Sequence, residues 1–212
     1  MDILYQDKRI LVALKPAGVL STDEPGGMPS LLRAYLGDEK ACVRTVHRLD
    51  AAVSGVMVFA RSVKAASLLS EQIRERQFQK EYLAVVHGAP PEEGTLCDLL
   101  GRDKQRRITY VADASGKDVR EAKLSYRVLD RCEGYSLVSI SLHTGRTHQI
   151  RVQFASRGWP LAGDRKYGVD DGFGGIALWS HRVAFAHPET GEAVEFSALP
   201  PRDGAWELFT LQ

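Results

Sequence analysis

Residues 44–60, RTVHRLDAAVSGVMVFA, decide how the rest of the sequence is interpreted. Asp50 lies directly after a histidine, an arginine and a leucine, and the apolar segment 53–60 follows almost at once. That segment predicts a buried strand. A carboxylate at the end of such a strand, beside a cation, is favoured in the ionised form that a nucleophile needs. An aspartate in a polar turn is also an ordinary turn-forming residue, so the local pattern leaves both interpretations open.

The composition is that of an ordinary globular protein, with 212 residues, 44% hydrophobic and 26% charged. This length predicts a single domain over residues 1–212. The net charge of +1 decides nothing about nucleic acids, because binding depends on where the cations lie. Three widely spaced cysteines form no CxxC pair and indicate reduced thiols in the cytoplasm. No apolar run reaches membrane-spanning length and no secretory signal is recognisable, so we expect no membrane association.

Apolar and alternating runs predict a chain rich in strands. They are expected at residues 10–14, 79–87, 108–111, 121–130, 136–142, 178–186 and 193–196. The pairs 121–130 with 136–142, and 178–186 with 193–196, are predicted antiparallel hairpins. Because hairpins outnumber crossover connections, we expect an α+β fold with a mixed, mostly antiparallel central sheet and flanking helices.

Helical periodicity predicts one helix over residues 30–36, capped by Ser30, another over 63–76, capped by Ser62, and a short closing helix at 205–211. A further helix is expected to begin at a Thr144 or Thr147 cap and to run to Gly158.

The predicted helix that follows Thr144 or Thr147 begins with an unusual excess of cations. Arg146, His148 and Arg151 crowd its first turns, where the helix dipole disfavours positive charge. We therefore expect an anion nearby, either a carboxylate of the protein or a phosphate.

Other kinds of active site lack their sequence patterns. The six histidines have no standard metal-ligand spacing, so no metal is expected. Ser54-Gly55 lacks the G-x-S-x-G turn of a serine hydrolase, and no P-loop or dinucleotide fingerprint is present. Asp50, Tyr82 on a predicted strand and the cationic helix start remain. This combination favours covalent carboxylate chemistry on a polyanionic substrate.

Together these segments resemble the RluA-type pseudouridine synthases. The similarity is carried, in family order from about residue 3 to 201, by KPAG at 15–18, HRLD at 47–50 with Ser54-Gly55, KEYLA at 80–84, Gly116-Lys117 with 121–129, TGRTHQIR at 144–151, Gly163-Asp164 with Tyr167-Gly168, and His187-Pro188. The resemblance implies the pseudouridine synthase fold, and isomerisation of uridine to pseudouridine within RNA without cofactor or metal.

The resemblance also implies a role for each central residue. Asp50 would be the nucleophile, and Arg151 would pair with it and hold it ionised. Tyr82 would pack against the target base and serve in the proton step, and Arg48 would help to displace the flipped nucleotide. These roles agree with the need to take a base out of its stack before chemistry on it can occur.

We expect further basic side chains to contact the RNA. For each of them, the alternative is that the side chain is simply exposed to solvent and contacts no RNA. The candidates are His47, Arg74, Arg76, Lys104, Arg106, Arg107, Arg146 and His148. The catalytic segments begin almost at residue 3, so we expect no S4-type RNA-binding domain before them. Val53 stands where the family usually has threonine, so one hydrogen bond near the nucleophile is in doubt.

Two other interpretations stay open. The chain could be a catalytically idle RNA-binding or chaperone module of the same fold. It could also be a carboxylate-based glycosidase, which needs a second carboxylate. Glu81 is the nearby candidate, but a strand neighbour of Tyr82 faces away from it. The expected partner is a stem-loop of ribosomal or transfer RNA, with no obligatory protein partner, and the target uridine is left open.

Overall fold

The computed structural model describes residues 1–211. The chain divides into two compact units. The first comprises Met1–Lys80 and Trp179–Pro200, and the second comprises Glu81–Leu178 and the chain from residue 201 onward. The expected single domain over residues 1–212 stays a prediction.

The elements follow one another as strands with few helices between them. The strands are β1 (Ile3–Gln6), β2 (Ile10–Lys15), β3 (Arg44–Thr45), β4 (Ser54–Ala60), β5 (Gln79–His87), β6 (Glu93–Asp103), β7 (Ile108–Val111), β8 (Arg120–Cys132), β9 (Tyr135–Leu142), β10 (Leu178–Ala186) and β11 (Ala193–Ser197). The helices are α1 (Met28–Leu36), α2 (Val63–Arg74), α3 (Gln149–Ala155) and a 3₁₀ turn at Gly204–Leu208.

The sheet of the first unit is mixed. β1, β2 and β4 pair antiparallel in that order, the short β3 also pairs with β4, and β10 lies parallel to β4 with β11 antiparallel beside it. β4 is buried on both faces from Gly55 to Ala60, as its apolar run predicts. Its side chains Val56 and Val58 join Leu69 of α2 and Phe185 of β10 in one core.

The sheet of the second unit is antiparallel, but not all of its neighbouring strands are adjacent in chain order. Within it, β5 pairs with β9, β9 with β8, β8 with β6, and β6 with β7. Both predicted hairpins, β8 with β9 and β10 with β11, are confirmed. Among residues 1–211, no helix is both long enough and apolar enough to span a membrane.

The helix starts confirm one predicted cap and correct two. Ser62 caps α2 by accepting a hydrogen bond from the Ala65 amide at 3.1 Å. α1 begins at Met28 after Gly27, because Pro29 favours the first helical turn, so Ser30 is not its cap. α3 begins after His148, which has a left-handed backbone conformation, and the predicted cap at Thr144 or Thr147 is wrong.

Candidate active site

The predicted nucleophile, Asp50, lies in the loop between β3 and β4 and is half-buried. The Val53 amide donates to the Asp50 carbonyl at 3.0 Å, which closes the turn in front of β4. The Ser21 hydroxyl donates to the Leu49 carbonyl at 2.7 Å and accepts from the Leu49 amide at 3.1 Å. One buried side chain therefore fixes both backbone groups of the residue before Asp50.

Lys15 fixes the residue after Asp50. It lies at the end of β2 and is 0% exposed. Its Nζ donates to the carbonyl oxygens of Pro16 at 2.8 Å, Val19 at 2.7 Å and Ala51 at 3.0 Å. Burial lowers the pKa of Lys15 to about 8, and the charge of Asp50 opposes that shift. The KPAG motif was recognised in the sequence, but no role was predicted for its lysine.

His47 corrects a prediction. It was expected to contact RNA, but its ring is 8% exposed and its Nε2 accepts a hydrogen bond from the Val58 amide at 3.0 Å. Burial, together with the charge of Lys80, lowers the pKa of His47 to about 3, so the ring is neutral at physiological pH. His47 therefore ties the Asp50 loop to β4 from inside the protein. Its neighbour Arg48 is exposed.

Gly55, in the Ser54-Gly55 pair, has a specific structural reason to be glycine. Its φ is +121°, and an added Cβ would lie 2.3 Å from the carbonyl oxygen of Ser180 in β10. The Ser180 hydroxyl donates to the Val56 carbonyl at 2.9 Å. The absence of a side chain at Gly55 thus allows β10 to approach the start of β4, directly after the Asp50 loop.

Arg151, in the second unit, forms a buried bidentate ion pair. Its Nε and Nη2 donate to the two carboxylate oxygens of Asp164, both at 2.7 Å. The side chains are 8% and 1% exposed. The guanidinium carbon also lies 5.1 Å from the ring centre of Tyr167. The expectation of an anion beside the cationic helix start is met here by Asp164, whose role was not predicted. The predicted Arg151–Asp50 pair stays a prediction.

The Tyr167 hydroxyl connects this cluster to its surroundings. It accepts a hydrogen bond from the Thr109 amide at 2.9 Å and lies 2.6 Å from Nδ1 of His148. Burial raises the pKa of Tyr167, so it remains a neutral phenol. His148 is half-buried, and its predicted RNA contact stays a prediction.

Tyr82 lies on β5 and is 5% exposed. It pairs with Ile140 of β9. The neighbouring Glu81 accepts a hydrogen bond at 2.7 Å from the Ser139 hydroxyl. Ser139 is next to Ile140 on β9, so its side chain lies on the sheet face opposite to Tyr82. Glu81 therefore faces away from Tyr82, as expected, and this arrangement does not support the glycosidase interpretation.

The remaining candidates for RNA contact lie at the surface. Exposed side chains are Arg74, Arg76, Lys104, Arg106, Arg107 and Arg146. Several have contacts within the protein: Arg74 lies 3.8 Å from Glu71, Arg106 lies 3.9 Å from Asp103, and Arg146 donates to the Glu121 carbonyl at 2.9 Å. The exposed ion pairs of Arg74 and Arg106 are weak at such distances and would not prevent binding of a phosphate.

Comparison with known proteins gives a consistent result. The family model described as RNA pseudouridylate synthase matches residues 9–156. An uncharacterized RNA pseudouridine synthase of Bacillus subtilis, YlyB, is 37% identical over 97% of this chain and 71% of its own length. The ribosomal large subunit pseudouridine synthase D of Neisseria meningitidis serogroup A is 35% identical over 96% of this chain, which spans only 59% of that relative.

Solved structures agree on the fold. The human RNA pseudouridylate synthase domain containing 1 superposes with a TM-score of 0.82 at 24% identity, covering 97% of this chain and 85% of that one. The expected α+β pseudouridine synthase fold is thereby confirmed. The match over residues 9–156, with 37% identity to a relative along nearly the whole chain, shows that the chain belongs to the RNA pseudouridine synthase family of isomerases, as its RluA-type motifs predict.

Proposed function

We propose that this chain isomerises uridine to pseudouridine in structured RNA, with Asp50 as the nucleophile. The observation that carries the proposal is the rigid support of the HRLD loop. The residues on both sides of Asp50 are held by buried side chains, Ser21 and Lys15, within a chain whose family is known. Such support keeps a carboxylate in one orientation towards a bound nucleoside.

The reaction conserves every atom of the substrate. Asp50 attacks the target nucleoside and forms a covalent adduct, and the bond between the sugar and N1 of the base breaks. The released base turns and rejoins the sugar through C5, the proton on C5 is lost, and N1 gains a proton. The carboxylate is regenerated, so covalent catalysis divides one difficult step into easier ones.

Three further residues receive roles in this proposal. Tyr82 provides an aromatic platform for the extruded base and serves in the proton step. Arg151 supplies positive charge that favours the ionised carboxylate of Asp50. Arg48, exposed on the same loop, helps to displace the target nucleotide.

The proposed substrate class is ribosomal or transfer RNA. Relatives named ribosomal large subunit pseudouridine synthase D make large-subunit ribosomal RNA the first substrate to test. Exposed Arg106 and Arg107, on the turn between β6 and β7, are proposed phosphate contacts. The proposal includes a single catalytic domain acting in the cytoplasm without an obligatory protein partner.

The test is incubation of the purified chain with unmodified ribosomal and transfer RNA transcripts. Chromatography of the digested nucleosides then separates pseudouridine from uridine, which has the same mass. We expect the amount of pseudouridine formed to correspond to one or a few modified sites per RNA molecule. RNA binding without any isomerisation across a broad RNA pool would contradict the proposal and favour the idle binding module.

A further inference from the structure

Asp164 accepts more hydrogen bonds than a simple ion pair with Arg151 requires. Its Oδ2 accepts a hydrogen bond from Nε of Arg151. Its Oδ1 accepts from Nη2 of Arg151 and from the backbone amides of Lys166 at 3.0 Å and Tyr167 at 3.3 Å. The carboxylate is therefore fixed by its own loop before it meets the guanidinium.

The loop that carries Asp164 is itself closely held. Gly163 has a φ of +72°, and an added Cβ would lie 2.0 Å from the Gly175 carbonyl oxygen. The Gly163 amide donates to the Asp171 carboxylate at 2.9 Å, and the Gly168 amide donates to the Asp164 carbonyl at 2.8 Å. These contacts leave Asp164 little freedom to move with Arg151, so the loop determines where the guanidinium lies.

Tyr167 restricts Arg151 from a second direction. Its ring lies 5.1 Å from the guanidinium carbon, and its hydroxyl is held by Thr109 and His148. Asp164 thus fixes the edge of the guanidinium formed by Nε and Nη2, and the Tyr167 ring restricts the group from another side. In a planar guanidinium, Nη1 lies on the side away from the Nε edge.

We propose that Asp164 and Tyr167 are positioning residues that hold the Arg151 guanidinium in the one orientation in which it serves the reaction; this inference rests on the proposed function. A buried ion pair is seldom a net source of stability, because desolvation offsets the attraction. A clamp on a planar guanidinium does, however, fix the direction in which its remaining donors point.

The same unit offers a matched control. Asp98 accepts hydrogen bonds from Arg157 at 3.0 and 3.1 Å and from Gln153 at 2.6 Å. This is also a bidentate pair in the second unit, but no role in the reaction is proposed for Arg157. Changing Asp98 tests what the loss of a structural carboxylate–guanidinium pair does by itself.

The experiment compares Asp164→Glu with Asp98→Glu. Each keeps the negative charge and shifts the carboxylate by one methylene, so electrostatic effects of charge removal do not enter. For each variant, kcat and KM for an RNA substrate are measured at one pH. Folding is checked by thermal unfolding.

We expect Asp164→Glu to lower kcat by at least about 100-fold with little change in KM, because a displacement of about 1 Å can cost that much. Asp98→Glu should leave both kcat and KM unchanged. Tyr167→Phe keeps the ring but loses the bonds to Thr109 and His148, and should lower kcat about threefold to tenfold with little change in KM.

The outcomes separate the two proposals. An active wild type with the same kcat in Asp164→Glu and Asp98→Glu would overturn this inference and leave the proposed function intact. If Asp164→Glu does not fold, an unchanged kcat in Tyr167→Phe overturns it instead. A wild type that forms no pseudouridine overturns the proposed function, and the positioning role fails with it.

Discussion

The Asp50 loop and the Arg151 cluster hold their charged groups in different ways. Around Asp50, buried Ser21 and Lys15 bond to the backbone of the neighbouring residues, and the carboxylate itself stays half-buried. Around Arg151, Asp164 and Tyr167 contact the charged group directly. Buried side chains thus fix the backbone on both sides of Asp50, whereas the Arg151 side chain is itself clamped; in the proposed function the first group is the nucleophile and the second supplies charge. Substitutions around Asp50 test the first of these arrangements.

Asp50→Asn should have the largest effect on catalysis. The amide keeps the shape of the side chain but is a poor nucleophile, so product formation should fall by at least about 1,000-fold. Single-turnover assays with saturating enzyme measure the loss, and thermal unfolding shows whether the fold is kept. Near-normal activity in this variant would remove Asp50 from the reaction and with it the contrast between the two regions.

Lys15→Met should lower kcat about 10- to 100-fold, because the turn beside Asp50 loses its bond to the Ala51 carbonyl. The pKa of Lys15 is lowered to about 8, so the ammonium is charged below this pH and becomes neutral above it. Wild-type kcat should therefore fall as the pH rises through about 8, and the Lys15→Met profile should lack that limb. Lys40→Met, which replaces an exposed lysine, serves as the control. An identical alkaline limb in both variants would contradict the role given to Lys15.

His47 should make the protein less stable in acid. The pKa of its buried ring is lowered from 6.5 to about 3, so between these values the unfolded chain binds a proton that the folded chain does not. The free energy of unfolding should decrease as the pH falls through this window, by at most about 1.4 kcal/mol per pH unit from this residue. Denaturant titrations measure the slope. His47→Gln, which can still accept from the Val58 amide, should flatten it, whereas the exposed His143→Gln should not.

Val53→Thr should have the smallest effect. Val53 is 2% exposed, and its amide already closes the Asp50 turn. Restoring the hydroxyl usual in the family should change kcat by less than about threefold. Burying the new hydroxyl should cost about 1–2 kcal/mol of unfolding free energy unless it finds an acceptor. Parallel kinetics and denaturant titrations test this, and a large gain in kcat would show that the backbone support of Asp50 is incomplete without that group.

The sequence predicts the strands best where the hydrophobic pattern is clear. β5, β7 and β10 have the predicted bounds, because their runs are apolar or alternating. β6 was not predicted, since its adjacent Leu99 and Leu100 interrupt the alternation of inward and outward side chains. The start of α3 could not be read from capping residues, because Thr144 bonds to the Gln149 side chain and His148 takes the left-handed conformation.

The sequence indicates which residues are candidates for the site, but it does not show which other side chains contact them. Asp50, Tyr82 and Arg151 stand out in their motifs, but the partner Asp164 lies in a Gly-Asp pair that is typical of a turn. Lys15 was missed for a related reason. A lysine is seldom fully buried, and only the tertiary structure shows the carbonyl oxygens that bind its ammonium group.

The most direct test of the central claim is pseudouridine mapping of total RNA from cells with and without the gene, with wild-type or Asp50→Asn protein restored. The account predicts that one or more pseudouridines disappear without the gene, return with the wild type, and stay absent with Asp50→Asn. An unchanged map after removal of the gene, or sites restored by Asp50→Asn, would contradict it.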